Sequence, residues 1–223
     1  MKFASIALGL LAVVSTASAG MYTFTPNPSD LGDLDHHTAV AWGITGTAGL
    51  QSQLASGYRI SGATICIENI WDWKVEQDKL FINLLDDPKT GVRTYSDNTN
   101  DNVLSNFFTA SNSSSSSRWN GQSLLTTWTD PKGGSNGAFA IDYTYNFGSA
   151  DLALLTSYLS DPTASNRAAF GLGFDPDCHY YNDGIKLIIY TEKISIPDAG
   201  STVLMLGLGL GALVAIRRRT LRS

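Results

Sequence analysis

The sequence predicts an all-β protein, a single antiparallel β-sandwich of jelly-roll type carrying one short helix. Three observations lead there. Between residues 38 and 194, short runs rich in Val, Ile, Thr, Tyr, Phe and Trp recur, separated by clusters of Gly, Pro, Asn and Asp. The stretch from Gly137 to Phe147 puts Phe139, Ile141, Tyr143 and Tyr145 on one side, the period of two that belongs to a strand. Only Asp151 to Leu159 spaces its apolar residues as a helix does. Strands of this number, joined by turns, bury their apolar sides best as two sheets face to face.

Taken in order, residues 1–19 hold Lys2, an apolar stretch from Ile6 to Val14, and Ala17-Ser18-Ala19, the pattern of a signal peptide cleaved before Gly20. Gly20 to Asp35, interrupted by Pro26-Asn27-Pro28, reads as an irregular lead-in. Adjacent His36 and His37 point apart on a strand, so alone they make a poor metal site. Thr38 to Thr45 is the first strand, with Val40 and Trp42. Tyr58 to Ile70 is a long one, rich in β-branched residues, with Gly62 marking a bulge. Trp71-Asp72-Trp73 ends it. Asp78 to Leu85 is a further strand and Asp86 to Gly91 a turn.

Tyr95 to Asn102 reads as a polar loop, Val103 to Phe108 as a short strand or turn, and Asn112 to Ser117 as a surface loop of serines. Gln122 to Thr129 is a strand with Trp128, and Asp130 to Gly134 a turn. The helix at Asp151 to Leu159 takes Ser149 or Asp151 as its N-cap and closes at Asp161-Pro162. Arg167 to Phe174 and Ile185 to Ile194 read as a final strand pair joined by residues 175–184.

Beyond that, Ile196 to Thr202 leads into an uncharged run ending at Ile216, then Arg217, Arg218, Arg219 and Arg222. A helix over Ser201 to Ile216 rises ~24 Å, short of the ~30 Å hydrocarbon core of a bilayer. The arginines belong on the cytoplasmic side, which puts the rest of the chain outside. This order of Pro-Asp motif, apolar helix and basic cluster resembles a PEP-CTERM sorting signal. Ile196-Pro197-Asp198-Ala199-Gly200 is similar to its Val-Pro-Asp-Ser-Gly variant, with Ile196 and Ala199 as departures. The resemblance implies that Pro197, Asp198, Gly200 and Ser201 form the motif an exosortase-type membrane enzyme recognises. It also implies an inner-membrane intermediate, then delivery to the cell surface or outside, in a layer of exopolysaccharide. A plain C-terminal membrane anchor is the alternative. The organisation is therefore a signal peptide at 1–19, a β-sandwich ectodomain at 20–195, and a sorting segment at 196–223. That segment divides into the motif at 196–202, a transmembrane helix at 201–216 and a basic tail at 217–223.

With both ends set aside, ten basic residues face nineteen acidic ones. Such an exported, acidic domain repels nucleic acid and anionic lipid, which excludes both as partners. Export also permits a disulfide between Cys66 and Cys178, worth about 3–5 kcal/mol in the chain-entropy model. In the other reading Cys66 is a buried small apolar residue and Cys178 a ligand.

No resident cofactor is expected, with Ca²⁺ the one candidate. Asp175, Asp177, Asn182 and Asp183 offer hard oxygens within one loop that Gly184 lets turn. The same residues also suit a hairpin capped by its own Asp and Asn side chains. A transition-metal alternative uses Asp177, Cys178 and His179 with His36 or His37, and forbids the disulfide.

Catalysis finds no support: Glu68, Glu76 and Glu192 form no repeated acid motif, and neither a Gly-x-Ser-x-Gly elbow nor His-Glu-x-x-His occurs. The chain is expected to be no enzyme. Trp71, Trp73, Trp119 and Trp128 fill a core or, at strand ends, stack on sugars, with Trp71 and Trp73 the candidate glycan platform. The expected function is a non-catalytic structural role in the envelope or exopolysaccharide layer. A calcium-dependent carbohydrate-binding module and a polysaccharide hydrolase are the alternatives.

Overall fold

The computed structural model describes residues 19–32, 34–72, 78–97, 105–108, 122–130, 140–161 and 164–194. Residues 1–18 of the expected signal peptide, Trp73, Trp119, the serine tract, the sorting motif, the apolar run and the basic tail lie outside the described residues. The chain divides into two units, Met1–Lys193 and Ile194–Ser223, and every element below belongs to the first.

Those elements are mostly strands: β1 (Gly20–Phe24), β2 (Thr38–Gly43), α1 (Ala48–Ala55), β3 (Tyr58–Asp72), β4 (Lys79–Asp86), β5 (Gly91–Ser96), β6 (Ser123–Thr129), β7 (Ile141–Asn146), α2 (Ser149–Ser160), β8 (Phe170–Pro176), β9 (Tyr180–Tyr181) and β10 (Gly184–Lys193). They form two antiparallel sheets. One runs β1-β10-β3-β7, with β9 pairing the end of β3; the other runs β5-β2-β8-β4-β6.

Alternation decides which residues go inside. Ala63, Ile65 and Ile67 of β3, Leu80, Ile82 and Leu84 of β4, Phe170, Leu172 and Phe174 of β8, and Ile185, Leu187 and Ile189 of β10 all enter one buried cluster fed by both sheets. The opposite surface of β3 carries Thr64, Cys66 and Glu68, which stay half-exposed.

The β8 strand is buried along its whole length, because its second face is also covered. Phe107 and Phe108 lie over Ala39, Ala41 and Leu85 there. A Cβ on Gly173 would sit 2.7 Å from the Phe108 ring, so the glycine is what lets the ring close down on the sheet. Residues 105–108 are fastened by polar bonds. Asn83 and Asn106 exchange amide hydrogen bonds of 3.1 and 2.8 Å, and the Phe107 N–H donates to Asp175 Oδ2 at 2.7 Å.

Four expectations need correction. Gly20 to Phe24 is an edge strand: Tyr22 and Phe24 alternate inward, Phe24 meets Phe170 edge-on, and the prolines begin only after the strand has ended. Residues 91–96 pair with β2 as β5, so Tyr95 and Ser96 belong to a strand whose Tyr95 packs against Phe107. A second helix, α1, buries Leu50 and ties down through Gln51 Nε2, which donates to the Leu159 carbonyl at 3.0 Å. Finally, β8 and β10 are no pair, since they lie in different sheets and residues 177–183 carry the chain across. The bulge expected at Gly62 falls beside it: Tyr190 faces Gly62 while Thr191 faces Ile60, leaving Ser61 as the extra residue. Helix α2 begins at Ser149, and Asp151 Oδ2 accepts the Gly148 N–H at 2.9 Å.

Candidate functional site

The crossing from β8 to β10 organises the polar chemistry of this unit, because it buries some of its side chains and leaves others near the surface. Tyr180 is fully buried and its N–H donates to the Leu34 carbonyl at 3.0 Å. That bridge joins the crossing to the residues just before β2. On one side of it, Asp177 and Cys178 turn inward; on the other, His179 turns out.

The inward side is acidic. Asp72, Asp78 and Cys178 are all buried and bring ligand-type atoms within 4.8 Å of one another. The Cys178 thiol donates to Asp72 Oδ1 at 3.5 Å, and the Asp72 N–H donates to Asp130 Oδ2 at 3.1 Å. Asp177 Oδ1 accepts the Lys79 N–H and, at 3.1 Å, the Tyr180 hydroxyl. Burial pushes the Asp177 carboxyl up to about 6 against the pull of those two bonds, with Asp78 adding repulsion. Burial pushes Asp175 further, to about 8, and Asp97 and Asp177 add to it. The Tyr180 hydroxyl is driven far up by burial and by Asp177, Asp78 and Asp72.

Of the expected calcium set, Asp175 is used by the Phe107 N–H and Asp177 by β4. Asp183 sits apart, accepting from Asn69 Nδ2 at 2.6 Å, and Asn182 Nδ2 donates to the Asp30 carbonyl at 3.0 Å. The three aspartates thus serve three different contacts. The disulfide expectation is corrected: Cys66 and Cys178 are not bonded to each other. Cys66 sits on the half-exposed face of β3, whereas Cys178 meets Asp72, on the buried face and six residues further along. Six residues of strand amount to about 20 Å, far beyond disulfide reach.

The outward side gathers the imidazoles. His36 Nδ1 lies 2.9 Å and His179 Nε2 3.3 Å from the same atom, Asp35 Oδ1. His36 Nε2 lies 3.0 Å from His37 Nε2. Of the residues of the transition-metal alternative, the structure brings His179 and His36 together on Asp35, while Asp177 and Cys178 lie buried on the other side. The missed member is Asp35, and no periodicity marked it, because the Leu34–Tyr180 bridge that recruits it links distant segments.

Next to this crossing, Trp71 stacks on Tyr181 with ring centroids 4.6 Å apart and planes 22° apart. Tyr181 is 42% exposed and Trp71 half-buried, so the pair reaches solvent. Trp128 instead packs edge-on against Tyr180 in the core.

Residues 195–220 match the VPDSG-CTERM motif. The chain carries a PEP-CTERM-like C-terminal sorting signal, and with it the mark of a secreted protein sorted by an exosortase-type system. No curated protein matches the chain. Among the described residues no helix is long and apolar enough to cross a membrane.

Proposed function

We propose that this is an exported, non-catalytic protein of the cell surface or extracellular matrix, held briefly in the inner membrane by its tail and then processed at Pro197-Asp198. One observation carries the reading: a β-rich unit ends at Lys193 and the matched motif starts at residue 195, so cleavage there delivers that unit whole. The proposal takes the two sheets as the leaves of one jelly-roll-like sandwich. Support comes from the single apolar cluster to which both contribute. A passive role fits the acids as well. Asp72, Asp78 and Asp177, the carboxylates gathered at the β8–β10 crossing, are buried, where no polymer reaches them.

The test is fractionation of the producing cells. With Pro197→Ala and Asp198→Ala together, the chain should accumulate in the inner membrane at full length. Release of that double variant as efficiently as the parent would sink the sorting reading.

A second reading, a calcium-dependent glycan-binding module, is favoured by the exposed Trp71–Tyr181 stack, an apolar surface of the kind that covers a sugar face. It requires that the protein be retained on exopolysaccharide, that chelator release it, and that Trp71→Ala lower retention at least ten-fold. Equal retention of the variant leaves the structural role standing.

A further inference from the structure

We infer that Asp35, His36 and His179 form a binding site for a divalent transition metal of the zinc class, with His37 positioning His36. The chain has three histidines, two of them adjacent and the third far along the sequence, and folding brings the rings of His36 and His179 to one aspartate and the ring of His37 against His36.

The spacing is that of ligands around one ion. A tetrahedral ion with bonds of ~2.0–2.1 Å sets neighbouring ligand atoms about 3.3 Å apart. Asp35 Oδ1 is 2.9 Å from His36 Nδ1 and 3.3 Å from His179 Nε2, and the three residues each bring a ligand-type atom within 4.8 Å of the others'. Two imidazole nitrogens and one carboxylate oxygen suit Zn²⁺, and Ni²⁺ or Cu²⁺ by the same donor chemistry; a site for Ca²⁺ would take oxygens alone.

The frame is rigid before any ion arrives. Leu34 and Tyr180, the neighbours of Asp35 and His179, are fully buried and hydrogen-bonded to each other. The Asp35 carbonyl accepts the Thr38 N–H at 2.8 Å, and Asp97 donates its N–H to the His37 carbonyl at 2.9 Å. Side-chain exposures of 13% for His36, 24% for His179 and 29% for Asp35 leave an entry from solvent. Three protein ligands leave the fourth position of a tetrahedron to water or to a donor from outside.

His37 has its own part. An ion on His36 Nδ1 obliges the proton to sit on His36 Nε2, which then donates to His37 Nε2 at 3.0 Å. That bond fixes the tautomer and the ring angle, as outer partners of metal-bound histidines do.

The experiment is a zinc titration of the full chain in detergent, in competition with a chromophoric chelator, followed by Co²⁺ substitution. One equivalent of Zn²⁺ should bind. His36→Gln, His179→Gln and Asp35→Asn should each weaken binding at least ten-fold, with far-UV circular dichroism unchanged. His37→Gln should keep the single equivalent and weaken it by about ten-fold. The Co²⁺ form should lack a thiolate charge-transfer band. Absence of zinc binding, or binding by the His36→Gln, His179→Gln double variant equal to the parent's, overturns the site. So does loss of binding in Cys178→Ser with a thiolate band in the parent, which would move the metal to the buried Asp72, Asp78 and Cys178 group.

Discussion

Raising the pH should loosen this fold, and Asp175 is the reason. The residue is 2% exposed, and its carboxyl accepts the Phe107 N–H through Oδ2 and keeps its proton to about 8 instead of the ordinary 3.8. In the unfolded chain that proton leaves near the ordinary value. Between the two the folded state binds more protons than the unfolded one, so stability falls as pH rises. The contribution is complete below 3.8 and gone above about 8. About four pH units at ~1.4 kcal/mol each set a ceiling of roughly 6 kcal/mol, against the 5–15 kcal/mol that holds an ordinary domain together. Asp177, raised to about 6, adds a second slope confined to the acid side of that value. The assay is urea unfolding of the exported protein, read by tryptophan fluorescence, in steps from about pH 5 to about pH 9. The midpoint should drop across the range. Asp175→Asn keeps an oxygen for the Phe107 N–H and cannot ionise, so it should flatten the curve between about 6 and 8 and reduce the slope below 6 to the share of Asp177. A parent midpoint that stays level or rises with pH, or an unchanged slope in Asp175→Asn, would refute the reasoning.

Gly173→Ala forces a methyl against the Phe108 ring and should cost about 1–3 kcal/mol, seen as a lower urea midpoint; Phe108→Ala in the same chain should recover part of it. Thiol reagent should label Cys66 in the native protein and Cys178 only after unfolding, with the intact mass unmoved by reductant; a reductant-dependent mass would restore the disulfide. Glu192→Gln removes the partner of Arg59 across β3 and β10, and because both side chains are solvent-exposed the midpoint should move by less than about 0.5 kcal/mol.

Strand content was readable because burial repeats locally. Leu80, Ile82 and Leu84 announce their own strand, and the β3 run needs no partner to be recognised. Sheet membership was not readable. Whether β8 pairs with β10 depends on β2 and β4 taking both of its edges, a choice made between distant segments. The short β1 and α1 escaped for a different reason, since β1 only half-buries Tyr22 and Phe24, α1 buries Leu50 alone, and both lean on side-chain bonds from elsewhere. Tyr22 reaches the Gly49 carbonyl at 3.2 Å, and Gln53 accepts the Thr191 hydroxyl at 2.7 Å. The site divides the same way. The cluster at 175–184 was visible as composition, but the turn of Cys178 inward and His179 outward follows from the buried Tyr180, and Asp35 joins only through the Leu34 bridge.

The pairing of Gly20 with Thr191 means that both ends of the β unit leave from one pole. On the proposed processing, a leader cut before Gly20 and a tail cut beyond Lys193 would be trimmed at neighbouring points of that unit. The imidazoles stand at the other pole, past the far end of β10, whose ten residues span on the order of 30 Å. Within the β unit the imidazoles are thus a strand's length away from the point where its first strand begins and its last one ends.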